Sequence, residues 1–273
     1  MRTFAFLLIL LSLLLSLAAA GPVAADRTLT VFAAASLTEF LEEVKTVFER
    51  AHPDVTLRLN LASSSRCRIQ IEQGAPADIF MSANPNNMTP LVQANLAESP
   101  AIFAHNRVVI ITPGNNPANL QTPGDLAKPG IVLITCAPEV PIGRYTRTVI
   151  DNMDRSGDYG PNFARRVLAN IRSEEPSVKG IVAKVHLGEA DAGICYASDV
   201  TPAIRPDVRV IDIPDAVNII ADYPIAVLHN TRERNVAREF VHFITSPQGQ
   251  QLLAHHGFIP VQPPAERLGL EPS

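Results

Sequence analysis

LTVFAAASLTEFLEEV (Leu29–Val44) and LRLNLASSSRCRIQIEQGAPADIF (Leu57–Phe80) each run an apolar, β-leaning segment into serine and then into an amphipathic helix pattern. In the first, Leu37, Phe40, Leu41, Val44 and Phe48 share one helical face, while Glu42, Glu43, Lys45 and Glu49 fall elsewhere. Ser36 precedes that helix with Glu39 three residues on, the spacing of a capping box. A helix start leaves backbone N–H groups unpaired and carries about half a positive charge, which makes it a natural anion site. The serine reads either as a cap or as a hydroxyl offered to a ligand, and one side chain can serve both ends. Two such starts that converge could hold an anion without Lys or Arg.

Outward from these stretches the same alternation continues. Leu29–Ala33, Thr56–Ala62, Ile79–Met81, Val108–Thr112, Ile131–Thr135, Ala192–Tyr196, Val208–Ile211 and Tyr223–Leu228 read as short, mostly buried strands. Helical patterns lie between them at Leu37–Ala51, Arg66–Gln73, Met88–Ala94, Gly143–Asn152, Asn162–Asn170, Val178–Leu187, Arg232–Thr245 and Pro247–His256. Alternation of this kind predicts an α/β fold with largely parallel sheets flanked by helices. Pro113–Pro117 and Pro123–Gly130 read as loops, and the tail from Pro263 as frayed.

The first residues read as an export signal. Arg2 supplies the positive start, Phe4–Leu17 the apolar run, and Val23-Ala24-Ala25 the small-x-small site, so 1–25 is expected to be a signal peptide cut after Ala25, with Ala20 the alternative. That run is too short to favour a membrane span, and no cysteine follows it to carry a lipid. The expected mature chain is exported, soluble and monomeric, with room for one large α/β unit or two lobes. A net charge of -4, mixed in sign, argues against nucleic acid as a partner, and the absence of Trp argues against a sugar- or base-stacking site. No G-x-S-x-G or H-E-x-x-H motif occurs and the 7 histidines are scattered, so an enzyme is not expected. The 4 tyrosines are dispersed, which disfavours a ferric-ion site. The 3 cysteines form no CxxC pair and read as small buried apolar residues.

Four further segments place donors at strand ends. Ser63-Ser64-Ser65 repeat the Ser36 arrangement, and Ala137–Tyr145 follows a strand and exposes the Ile142 and Gly143 amides at a helix start. Glu175-Pro176-Ser177 precedes the helix from Val178, and Ala192–Tyr196 ends in a phenol. Ligands of open α/β sheets gather at such carboxyl ends. Taken in order, VFAAASL, ASSS with QIEQGAPADIF behind it, VPIGRY, GEADAGICYASD, ADYPIAV and SPQGQQLLAHHGF resemble the periplasmic molybdate-binding proteins of ABC transporters, from about Leu29 to Phe258.

The resemblance implies a type II periplasmic binding protein. Its two lobes would each be a mostly parallel sheet flanked by helices: lobe 1 from 26–107 plus 225–273, lobe 2 from 108–224, joined by a two-strand hinge near Arg107–Thr112 and Tyr223–Leu228. By motif, the oxyanion ligands fall on Ser36, Ser64, the Ile142 and Val178 backbone amides and the Tyr196 hydroxyl. No cofactor is implied, and no protein atom would touch the metal. The ligand would be molybdate or tungstate, and the partner a membrane permease. Another oxyanion such as sulfate is the alternative ligand on the same fold. Two features depart from the pattern. Arg66 and Arg68 follow the serine run, where cations oppose the helix macrodipole; they read as solvated side chains or as aids to anion capture. All three cysteines adjoin site segments, which leaves a Cys136–Cys195 disulfide in the middle lobe open.

Overall fold

The computed structural model describes residues 27–261; the expected signal peptide, its cleavage point and the tail from Pro263 lie outside the described residues. In chain order the elements are β1 (Arg27–Ala34), α1 (Thr38–Ala51), β2 (Val55–Ala62), α2 (Ser64–Glu72), β3 (Ile79–Met81), α3 (Pro85–Gln93), β4 (Ala101–Pro113) and β5 (Leu133–Cys136). They continue as α4 (Pro141–Ser156), α5 (Phe163–Ala169), β6 (Ile171–Glu175), α6 (Val178–His186), β7 (Ala192–Tyr196), β8 (Val208–Asp212), β9 (Ile220–Val227), α7 (Arg234–Thr245), α8 (Pro247–His255) and β10 (Ile259–Pro260).

The strands make a two-lobed α/β fold whose two sheets share one long strand. In the first sheet β1 lies parallel between β2 and β3, and β9 joins β3 antiparallel. The first half of β4, Ala101–Arg107, then pairs with β9. The second half of β4, from Val108 onward, belongs to the other sheet, where it pairs antiparallel with β7 and β8. There β5 lies parallel between β7 and β6. The chain thus leaves one sheet for the other inside β4, between Arg107 and Val108, and comes back between β8 and β9. In both sheets the parallel strands end on the same side and lead into loops and helix starts.

Burial follows the hydrophobic pattern. Phe40, Leu41, Val44 and Phe48, the expected inner face of α1, are fully buried, and Phe240 of α7 packs edge-on against Phe48. Where sequence and structure differ, polar strands are the cause. β4 starts seven residues before Val108: Ala101–Arg107, which carries His105, Asn106 and Arg107, lacks a continuous apolar run yet pairs with β9, with a register shift between Ile102 and Ala104. No strand is expected from sequence at β6: IRSEE alternates intermediate and exposed residues up to the buried Glu175, along a sheet edge where polar side chains are tolerated. α4 begins at Pro141, whose fixed φ suits the first helical position.

Two expectations are corrected. Ser36 does not cap α1: Ala35–Leu37 form a short 3-10 helix, Leu37 takes the cap position, and no side chain accepts from the first-turn amides. The extra turn sets Ser36 back from the helix and frees its hydroxyl to meet Tyr223. The Cys136–Cys195 disulfide is not formed; Cys67, Cys136 and Cys195 are all free and buried. Burial pushes each thiol up, Cys67 to about 11, so all three stay neutral core groups.

Candidate functional site

The strand ends of both sheets face one small cavity. It is lined by Ala34, Ala35, Ser36, Ser63, Ser64, Ala83, Val140, Pro141, Ile142, Ser177, Val178 and Tyr196. All five residues singled out from sequence line it, drawn from segments that follow β1, β2, β5 and β6 and from the end of β7. Its volume is about 20 Å³, little more than a water molecule needs. That suits a compact ion rather than an amino acid or sugar. No charged side chain is among the lining residues.

Each polar group arrives through a definite piece of local structure. Ser36 sits in the 3-10 helix after β1, with its Oγ 3.0 Å from the Tyr223 hydroxyl. Ser64 is the first residue of α2, and its Oγ accepts from the Ala83 N–H at 2.9 Å, which leaves the Ser64 proton for another acceptor. Ile142 follows Pro141 in the first turn of α4, and Val178 opens α6. At both starts the cap residue offers no side-chain bond to the first amides, which an α-helix cannot satisfy internally. α4 can aim its amides here because Gly143 lets it approach the end of β5: an added Cβ would lie 2.1 Å from the Ala137 carbonyl oxygen and 2.4 Å from that of Cys136.

Tyr196 is the informative group. Its ring is 1% exposed, packed edge-on against Tyr145 and Tyr223, and its hydroxyl has no hydrogen-bond partner. Burial holds the phenol well above its usual pKa, so it is a neutral donor. An orphaned buried hydroxyl costs about 1–3 kcal/mol, and one that lines a cavity is placed to donate into it. With the starts of α2, α4 and α6 converging on the cavity, each carrying about half a positive charge, the site can balance a large part of an anion's charge. The arrangement supplies donors and positive dipoles with no lining carboxylate to repel an anion.

The two arginines stand apart from this cavity. Arg66 is exposed, while Arg68 holds Glu72 at 2.6 Å and Asn87 Oδ1 at 3.2 Å, which stitches α2 to α3. Both are framework or solvated charges. Ser63, Ser177 and the small residues Ala35 and Ala83 join the lining beyond the sequence-derived set. Ser177 could have been found as the residue before a helix start, whereas the alanines carry no signal in one sequence. Tyr223 and Asn106, behind Ser36, were also missed. Each sits beside other polar residues in its strand, His105 and Arg107 or Asp222, so nothing in the pattern marks it.

Residues 29–259 match the family of bacterial extracellular solute-binding proteins. The chain belongs to that family. This solute-binding protein is a ligand carrier rather than an enzyme, and it works outside the cytoplasmic membrane. It is 35% identical over 240 residues to the molybdate-binding protein ModA of Mycobacterium tuberculosis (strain ATCC 25618 / H37Rv), covering 88% of this chain and 87% of that protein. Among solved structures, the periplasmic molybdate-binding protein of Azotobacter vinelandii superposes with a TM-score of 0.75 at 20% identity, covering 86% of this chain and 100% of that one. The sulfate-binding protein SubI from Mycobacterium tuberculosis H37Rv gives 0.79 at 20% identity, covering 87% and 88%. At such identities the superpositions establish the shared fold. Among the described residues no group of His, Cys, Asp and Glu is arranged to hold a metal ion.

Proposed function

We propose that this solute-binding protein captures molybdate, and tungstate of like charge and shape, through neutral hydroxyls and backbone amides, and delivers it in the periplasm to an ABC permease. The ligand groups are the Ser36, Ser64 and Tyr196 hydroxyls and the Ile142 and Val178 amides. The lobes follow the division 26–107 with 225–273 and 108–224, except that β9 pairs in the first sheet from Ile220, so the crossovers are in β4 and between β8 and β9; the carrier acts as a monomer. The observation that carries the reading is the unpartnered Tyr196 hydroxyl in a cavity of about 20 Å³ lined by no charged side chain. The 35% identity to a protein named for molybdate adds the ligand's identity.

The chemistry follows from the donors. A fully ionised tetrahedral dianion accepts several hydrogen bonds per oxygen and donates none, so a donor-only shell matches it. Each charge-assisted bond contributes about 1.5–3 kcal/mol, and five such bonds support sub-micromolar affinity after ordering costs. Phosphate keeps a proton at neutral pH and finds no carboxylate in the lining to take it. Sulfate carries the right charge but is smaller, and its rejection depends on cavity size. The test is calorimetric titration with molybdate, tungstate, sulfate, phosphate and ferric ion in separate runs. Tight binding of the first two with weak sulfate binding is expected; a sulfate affinity equal to that for molybdate overturns the selectivity, and binding of ferric ion alone overturns the site.

A further inference from the structure

Behind the cavity, a buried chain of polar groups is oriented at its far end by the backbone. The Arg107 backbone N–H donates to Asn106 Oδ1 at 2.9 Å, which orients the Asn106 amide. Its Nδ2 therefore faces the other way, where it donates to Ser198 Oγ at 2.8 Å and reaches Tyr223 Oη at 3.5 Å. An amide NH₂ has no acceptor lone pair, so the phenol oxygen can only accept from it. The phenol's single proton is then available to Ser36 Oγ, 3.0 Å away. Asn106 and Tyr223 are both fully buried, so solvent does not compete for these bonds. Burial also keeps the Tyr223 phenol well above its usual pKa and so protonated. Once Ser36 Oγ accepts from Tyr223, its own single proton is free to donate into the cavity it lines. Ser64 is polarised alike by a different donor, the Ala83 backbone N–H.

We infer that Asn106 and Tyr223 are positioning residues that lock the Ser36 hydroxyl as a donor into the cavity, so that the site accepts a fully deprotonated oxyanion and refuses one that must donate a proton there. The inference rests on the oxyanion reading of the site and adds to it a source of discrimination independent of cavity size. An unlocked serine hydroxyl can rotate and accept from a protonated oxygen such as P–OH. One held as an acceptor by Tyr223 keeps its proton free for the cavity, and a protonated oxygen facing that proton leaves two hydrogens opposed.

The test is a double-mutant cycle on the full mature chain, read by calorimetry with sodium molybdate and with inorganic phosphate. The variants are Tyr223→Phe, Ser36→Ala and the pair, with thermal melts to confirm folding. Tyr223→Phe should weaken molybdate roughly 3- to 10-fold while phosphate weakens less or gains, so that the phosphate-to-molybdate Kd ratio falls. Because Tyr223 acts through Ser36, the double variant should bind molybdate no worse than Ser36→Ala. Additive losses, or an unchanged Kd ratio in Tyr223→Phe, overturn the inference while leaving the oxyanion site intact. A wild type that binds neither molybdate nor sulfate overturns both. Asn106→Ala, which keeps the phenol but removes the donor that orients it, should lower the same ratio, and it serves should Tyr223→Phe fail to fold.

Discussion

At the scale of single residues, Tyr196 separates what stabilises the protein from what lets it bind. Its hydroxyl is buried and makes no hydrogen bond, so the free protein bears the desolvation cost of that group. Tyr196→Phe removes the oxygen and keeps the ring packing against Tyr145 and Tyr223. The unliganded variant is therefore expected to be as stable as wild type or more so, by up to about 1–3 kcal/mol. Its molybdate affinity should fall by a similar free energy, roughly 10- to 100-fold. Denaturant melts and calorimetry on the same two proteins read both quantities. A variant that loses stability and keeps affinity would show the hydroxyl to be a structural group with a partner. The residue was legible in sequence because a phenol at the end of a buried strand is conspicuous. Tyr223 was not, because its role depends on partners that lie 117 and 187 positions away.

At the scale of elements, the site is a meeting of helix starts, and its precision depends on how closely each helix approaches the strand before it. α4 is the clearest instance, since Gly143 sits against the Ala137 and Cys136 carbonyls with no space for a Cβ. Gly143→Ala forces the first turn of α4 away from β5 and carries the Ile142 amide with it. Loss of about 2 kcal/mol or more of stability, together with at least a 10-fold loss of molybdate affinity, is expected from melts and titration. Full affinity in this variant would mean that the α4 amides do not contact the ligand. Most of this architecture could be read from the chain, because strand-to-helix junctions carry periodicity on both sides. The exceptions have physical causes. Ala101–Arg107 and Ile171–Glu175 are strands stabilised by pairing rather than by apolar pattern, so neither announces itself. The capping-box spacing at Ser36 misled because a 3-10 helix intervenes, which turns the Ser36 hydroxyl to Tyr223 instead of the first amides of α1.

At the scale of the whole molecule, one charged cluster ties the two sheets together beside the cavity. Lys179 of α6, which packs on the second sheet, reaches Glu39 of α1 on the first at 2.6 Å. It also lies 3.6 Å from Asp199, a carboxylate that is 1% exposed. Asp199 Oδ2 accepts from the Tyr196 backbone N–H at 3.1 Å, but Oδ1 has no hydrogen bond. Burial dominates and pushes Asp199 up to about 6, with Lys179 as the main opposing influence. A carboxyl whose folded pKa exceeds its unfolded value, ordinarily 3.8, binds its proton more tightly in the folded state. Stability is then greatest below about pH 4 as far as this group goes, and it declines as pH rises through the window from 4 to 6. The decline is on the order of 3 kcal/mol for a shift of about two pH units. Asp199→Asn should remove that slope, so the stability difference between wild type and variant should change by this order between pH 4 and 7. Lys179→Met should act in the opposite sense. Without the cation the ionised carboxylate is less tolerable, so its pKa rises further. The variant should cost little at pH 5, where Asp199 is largely protonated in both proteins, and about 1–3 kcal/mol more at pH 7.5. Melts of the three proteins across pH 4–8 provide the check. If Lys179→Met costs the same at pH 5 and 7.5, Lys179 serves Glu39 alone, and the link between the sheets carries no charge from the buried carboxylate.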